Sequence, residues 1–560
     1  MPRKPLIVLK FGGSVLVNPD RLRLAVHEIY RWRRKGFGVV AVVSALAGKT
    51  DELLSICQAC SPDASPGAVA STLALGESES AALLGVQLDR VGLPHRVLTP
   101  AAIGLIGEGD PLDAHPIEVD RARLSEALQD PGTVVIPGFV AVDRLGNHVT
   151  LGRGGSDLTA LFLAHALAAD RCRLVKDVDG LYTQDPATSP TPPRRYARCA
   201  YEDALLTDGS IIQHKATRFA NKHGVEFEVG RLGGSAPTVI SQGTSVTNDH
   251  RDLPRKLRVA IAGVGTVGGG VLELLGQLPE CFEVSALCCR NEQTRQELTD
   301  QGYRVETDLL ALPRHADVVV ELIGGVTDAR KLIEQSLHTG CHVVTANKAL
   351  LAEAGDQLRD LAHANGCQLL GSASVGGGLP VLEHAARDAV RSIRGVLNGT
   401  ANFILECTRL GIPFAHALSE AQTKGLAEAD PTRDLDGSDS LDKLRVLAQA
   451  IGVDVDADNA IKQPITPASV RQSDGILTHL RHVASLDNAG LRVELEAVGV
   501  DDPLFDLPGE MNAVTIEYQD GSKQTLRGLG AGRWPTAESV IADLLRISRI
   551  ESCQKVVEHV

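Results

Sequence analysis

The sequence predicts an α/β protein whose parallel sheets are covered by helices and divided among several folding units. Apolar β-rich runs alternate with helical patterns along the chain, the mark of strands buried on both faces. Twice, near residues 12 and 263, such a run leads into a glycine-rich turn. With 560 residues, and about one to two hundred residues per domain, about three or four units are expected.

The elements follow in chain order. Residues 6–9 read as a strand, 21–35 as a helix and 38–43 as a second strand, with further strands at 133–136 and 173–175. Residues 61–67 and 186–195 are rich in proline and serine and read as surface loops. The polar stretch 244–256, TSVTNDHRDLPRK, reads as an interdomain linker separating a first domain, 1–243, from the remainder. Residues 257–263 open a new block as a strand followed by a helix to 275, with strands near 284–288, 317–322 and 341–344. This spacing of βα units defines a dinucleotide-binding domain over 257–394. Acidic loops, long helices and strands near 491–500 and 513–518 mark a substrate and association domain over 395–560, whose last segment is expected to return to the preceding domain.

Composition removes several functions. A net charge of −14, from 70 acidic and 56 basic residues, gives no general attraction to nucleic acid or anionic membranes. No apolar stretch approaches the length of a membrane span and the N-terminus lacks a signal-peptide pattern, so a cytoplasmic location is expected. Eleven cysteines, an odd number in a long chain, suit a reducing compartment, and Cys57 and Cys60 read as buried thiols rather than metal ligands.

In the first domain, LKFGGSV puts Lys10 at a strand end and Gly12, Gly13 and Ser14 in the turn. Glycines let backbone amides approach a phosphate, and a lysine offsets charge on a transferring phosphoryl group. LGRGGSDLTA carries Arg153 and Asp157, and KDVDGLYTQDP carries Asp177, Tyr182 and Asp185. With SALAGKTD (Thr50) and LGESES (Glu77), these motifs resemble the amino-acid kinase family, most closely the aspartate kinase catalytic domain, over about residues 5–243. The resemblance implies an α/β sandwich fold. It implies Lys10 on the phosphoryl group, Asp157 orienting Lys10, and Arg153 and Glu77 on the α-carboxylate and α-amino group of aspartate. Thr50 would contact the acceptor, and residues 177–186 would hold ATP with Mg²⁺. GSIIQHKAT resembles the family's GAKVLHP, with Ile211 at the lysine position and Lys215 four residues later as the candidate replacement. Ala187 likewise stands where the family often has arginine, and the small-ligand regulatory repeats that usually follow the kinase domain are not recognisable.

In the second block, LRVAIAGVGTVGGG sets Gly263, Gly265 and Gly268 in a GxGxxG pattern between strand and helix, with Thr266 and Val267 inside it. This Rossmann fingerprint rests a pyrophosphate on the helix N-terminus. The second strand ends near Arg290 rather than an acid, which favours a 2′-phosphate and hence NADP(H), with NAD(H) as the alternative. VVTANKALLA (Asn347, Lys348), SASVGGGLPV, LNGTANFIL (Gly399, Thr400) and GLAEADPTRDLDGSDSLDKL then resemble homoserine dehydrogenase over about residues 256–550. The resemblance implies proton transfer by Lys348 and Lys443, with Asp439 orienting Lys443 from one helical turn away. A lysine serves as the proton carrier when neighbours lower its pKa. Glu428 and Asp434 would bind the substrate amino group, and Gly399 and Thr400 would face substrate and nicotinamide. A monovalent cation near residues 374–378 is a further possibility, although Ser372 replaces the family's usual acid. The metal content therefore stays open.

Together the resemblances imply a bifunctional enzyme acting on aspartate, aspartate semialdehyde and homoserine, associating as a homodimer or larger homo-oligomer. The alternative is a homoserine dehydrogenase whose kinase-like half is a non-catalytic ligand- or partner-binding module. A third reading keeps the kinase chemistry with a different acceptor.

Overall fold

The computed structural model describes residues 4–129, 132–191, 193–207, 209–234, 236–248, 256–453, 459–472 and 478–557. The chain divides into two compact units, one formed mainly by residues 2–89 and 94–254 and the other mainly by residues 255–560.

The first unit is built on a nine-stranded sheet. Its order is Val246–Asn248, Arg195–Ala200, Thr238–Ser241, Phe227–Arg231, Arg171–Lys176, Leu6–Phe11, Gly38–Val43, Thr133–Pro137 and Arg96–Val97. The central strands are parallel: Phe11 pairs with Val43 on one side and Val175 on the other. Every residue of Leu6–Phe11 and Gly38–Val43 is buried, which is why these strands read as unbroken apolar runs. The helix Leu22–Arg34 packs Leu22, Ala25, Val26 and Ile29 inward at helical spacing and gives way to Gly36, whose φ of 77° suits glycine. A four-stranded sheet, Ile106–Glu108 between His115–Glu118 and Val140–Val142 with His148–Thr150 outermost, shares apolar core residues with the larger sheet.

The expected linker begins as structure. Val246–Asn248 is an antiparallel edge strand on Arg195–Ala200, because alternating backbone groups rather than apolar content secure an edge. Residues 249–255 of that linker lie outside the described residues. The expected loop 186–195 also ends early, since Arg195 starts a strand and is 2% exposed, with its guanidinium donating to the Asp179 and Ala236 carbonyls. Cys57 is buried as expected, but Cys60 is exposed at the end of the helix Lys49–Cys60.

In the second unit, six parallel strands take the order Val305–Glu306, Phe282–Cys288, Leu257–Ala262, Val318–Glu321, His342–Thr345, Leu369–Leu370. Numbered within the sheet this is 3-2-1-4-5-6, the doubly wound order with its switch point between the first and fourth strands. The boundary expected at 394 cuts a strand: Val390–Val396 lies in the next sheet, between Thr478–Asp487 and Met511–Tyr518. That mixed six-stranded sheet is flanked by the helices Gly399–Arg409 and Ser438–Ala450. The C-terminal helix Arg533–Val557 packs against Thr266–Leu275 of the doubly wound domain.

Candidate functional sites

In the first unit, a cavity of about 360 Å³ opens at the carboxyl edge of the parallel strands, lined by Lys10, Thr50, Glu77, Arg153, Asp157 and Lys176 among others. Lys10 and Asp157 are 5% and 3% exposed, with Lys10 Nζ 2.7 Å from Asp157 Oδ1. Asp157 sits in the first turn of the helix Gly155–Ala166, where the helix dipole favours an anion. A Cβ on Gly12 would stand 3.1 Å from Lys10 Nζ, so glycine leaves the ammonium room. Burial pushes Lys10 down to about 8 and the nearby Lys176 adds to this, against the opposing pull of Asp157. Burial also lifts Glu77 to about 7, although its Oε1 accepts from Ala45 N.

Arg153 is exposed between Gly152 and Gly154, both with positive φ. Ser14, Asp177 and Asp185 are also exposed, and Asp185 Oδ1 accepts from Ala187 N. The Tyr182 hydroxyl donates to Asp179, and Asp177, Tyr182 and Asp185 lie on the segment beyond Arg171–Lys176 without lining the cavity. Lys215 does not replace the lysine missing at Ile211. Its ammonium donates to Asp113 Oδ1, Ala114 O and Leu151 O at 2.6–3.0 Å. The lysine that does reach Asp157 is Lys176, 2.9 Å from Oδ2, a residue within KDVDG that spacing alone does not single out.

The second unit's dinucleotide turn fits its ligand through three different glycines. Gly263 has φ 97°, and a Cβ there would meet Leu322 O at 2.6 Å. A Cβ on Gly268 would meet Gly263 O at 1.9 Å, so this glycine permits the helix to pack on the turn. Gly265 faces open space, with nothing within 4 Å of the added carbon, beside the exposed N-terminus of Thr266–Leu275. That is the opening a pyrophosphate needs for backbone approach. Val267 follows in the first helical turn. Arg290, after the second strand, is exposed and reaches Asp328 at 3.3 Å.

Asn347 caps the helix Lys348–Ala364, accepting from Leu350 N and donating to Gly325 O. Next to it, Glu321, absent from the sequence reading, accepts from Thr345 Oγ1 and from the Ile323 and Gly324 amides. It is fully buried and burial raises its pKa.

Asp439 bridges two lysines, with Oδ1 2.8 Å from Lys348 Nζ and Oδ2 2.8 Å from Lys443 Nζ. Asn398, also absent from the sequence reading, donates to Asp434 Oδ1 and Asp439 Oδ2 while its own oxygen caps the helix Gly399–Arg409. Lys443 further donates to Leu397 O. Burial and both lysines act on Asp439 in opposite senses, and the lysines prevail, holding it well below the usual carboxylate range. The expected lowering of a lysine pKa is reversed at Lys348: burial disfavours its charge, but Asp439, aided by Asp434 and Asp442, raises it.

The remaining residues separate. Gly399 is needed for a close approach, since a Cβ would lie 2.5 Å from Glu510 O, and the Thr400 hydroxyl donates to Leu426 O. Glu428 is exposed on the loop before Thr432–Leu435. Near the suggested cation segment, the Ser372 hydroxyl bonds Glu383 and Asp543. Among the described residues no group of three or more His, Cys, Asp or Glu is placed to hold a metal ion, and none of their helices is long and apolar enough to cross a membrane.

Fold and sites define a kinase-type domain followed by a nicotinamide-nucleotide-binding dehydrogenase. Residues 5–229 match the amino acid kinase family, 263–371 the homoserine dehydrogenase NAD binding domain, and 380–545 homoserine dehydrogenase. Homoserine dehydrogenase of Pseudomonas aeruginosa is 35% identical over 316 residues, covering 53% of this chain and 73% of that protein. The Synechocystis enzyme of the same name is 34% identical over 316 residues, covering 52% and 73%. A crystal structure of a homoserine dehydrogenase from Thiobacillus denitrificans superposes with a TM-score of 0.50 at 33% identity, covering 53% of this chain and 74% of that one. The chain belongs to the homoserine dehydrogenase family and carries an amino-acid kinase domain ahead of it.

Proposed function

We propose that the chain catalyses two reactions: ATP-dependent phosphorylation of L-aspartate to aspartyl-4-phosphate, and NAD(P)H-dependent reduction of aspartate semialdehyde to L-homoserine. The Lys348–Asp439–Lys443 bridge supports the second reaction most directly. A nicotinamide nucleotide held at the Gly263–Gly268 turn would supply the hydride. Reduction also needs a proton on the developing alkoxide, and the raised pKa of Lys348 keeps that proton available at neutral pH. Lys443 fixes the other oxygen of Asp439 and shares the proton-transfer role. Asp434, held through Asn398, and Glu428 are assigned to the substrate ammonium. NADP(H) is favoured over NAD(H) because Arg290 can exchange Asp328 for a 2′-phosphate. Lys348→Ala is expected to lower kcat for homoserine oxidation about 10²–10⁴-fold, read at 340 nm. Loss under threefold contradicts the assignment.

In the kinase half, Lys10 offsets the charge of the transferring phosphoryl group and Asp157 orients it. Arg153 takes the α-carboxylate, Glu77 the α-ammonium, and Thr50 the acceptor end, while Mg²⁺ accompanies ATP as substrate. A regulatory-module reading draws on Ile211 and Ala187; nucleotide binding without aspartate-dependent ADP formation is its signature. Association of the chain with itself is proposed from the family resemblance and is checked by light scattering.

A further inference from the structure

We propose that Lys176 is the second cation of the phosphoryl-transfer site, contacting the transferring phosphate alongside Lys10 in the place that neither Ile211 nor Lys215 fills. This rests on the kinase reading above. Lys10 and Lys176 stand on adjacent parallel strands at their carboxyl ends, the edge where open α/β sheets bind ligands: Val175 pairs with Phe11, and Lys176 follows it. Both ammonium groups bond the same carboxylate, Lys10 at 2.7 Å and Lys176 at 2.9 Å. Their side chains and that of Asp157 are 6%, 11% and 4% exposed.

One carboxylate balances one lysine, so the cluster carries an excess positive charge in a buried place, where an unbalanced charge is costly. The cavity beside it is the outlet for that charge. Besides Asp157, two carboxylates line the cavity: Asp51, at its exposed rim, and Glu77, which burial raises to about 7; Arg153 adds another cation. A phosphate entering here meets Lys10 and Lys176 together. In the transfer, the bond from the γ-phosphorus to the β,γ-bridging oxygen breaks and ADP leaves with the electron pair. A bond forms to an oxygen of the ionised aspartate side chain, so no proton need be removed. Charge passes along the phosphoryl oxygens throughout, and two fixed ammonium groups oppose it.

The test uses the full-length chain as Lys176→Met, Lys176→Arg and Lys215→Met, with folding checked by circular dichroism. Aspartate-dependent ADP formation is expected to lose about 10²–10³-fold in kcat in Lys176→Met, with KM for aspartate within threefold. Lys176→Arg should recover at least tenfold of that loss, and Lys215→Met should stay within threefold of the parent. In Lys176→Met the alkaline limb of the pH profile should also move up, because a like charge beside Lys10 is gone. A kcat within threefold in Lys176→Met, or a larger loss in Lys215→Met, overturns the proposal. If the parent chain forms no ADP with aspartate, the kinase reading fails separately, and calorimetry with a non-hydrolysable ATP analogue and Mg²⁺ decides on Lys176. At least tenfold weaker binding in Lys176→Met supports it; equal binding, or none by the parent, refutes it.

Discussion

Replacing Asp439 by Asn removes the one carboxylate that bridges both lysines while keeping its shape. At the 2.8 Å separation from Lys348, Coulomb's law gives about 6 kcal/mol at an effective dielectric of about 20 and about 1.5 kcal/mol in water. The Lys348 side chain is 36% exposed, so screening brings the interaction toward the lower figure, about 2 kcal/mol. Burial then acts on Lys348 with less opposition, and its proton is released at lower pH. Homoserine oxidation needs an unprotonated acceptor, so it rises with pH through the lysine's titration. In Asp439→Asn that rise is expected at lower pH than in the parent, with kcat reduced about 10²-fold or more because the lysines lose their common anchor. The assay is NADP⁺ reduction at 340 nm from pH 6 to 11. An unchanged limb together with kcat within threefold refutes the reasoning.

Three further outcomes follow from the geometry. For aspartate, kcat/KM of the kinase should be bell-shaped, falling below about 7 as Glu77 takes a proton and above about 8 as Lys10 loses one; Glu77→Gln should flatten the acid limb. Gly265→Ala should leave thermal stability nearly unchanged but raise KM for NADP⁺ at least tenfold, whereas Gly268→Ala, blocked by Gly263 O, should destabilise by about 1–3 kcal/mol; calorimetry and kinetics separate the two. Asn398→Ala loses a helix cap and two bonds to carboxylates, which should lower Tm by about 5 °C or more and raise KM for homoserine.

The parallel sheets were legible because strands such as GVVAVV are buried on both faces and so read as continuous apolar runs. The glycine turns were legible for a similar reason, since Gly263 and Gly268 answer to backbone collisions that no other residue tolerates. Edges and pairings were harder. Val246–Asn248 is polar because an edge strand needs only backbone partners, and Val390–Val396 changes sheets without a change in composition. Lys215 and Lys176 illustrate the limit at the site: spacing favours the former, but strand adjacency brings the latter to Asp157. Asn398 and Glu321 escaped notice because their partners, Asp434 and Asp439 for one and Thr345 for the other, are distant in sequence. Arg290, Asp177 and Asp185 are exposed surface groups, where no packing constraint shows in the sequence.

Aspartyl-phosphate formation by the purified full-length chain with ATP and Mg²⁺, trapped as the hydroxamate, tests the bifunctional account most directly when homoserine oxidation with NADP⁺ is followed in the same preparation. The account predicts both activities in the parent chain, with hydroxamate lost and homoserine oxidation retained in Lys10→Ala. Homoserine oxidation with no hydroxamate from the parent chain contradicts it and leaves the first unit a binding module.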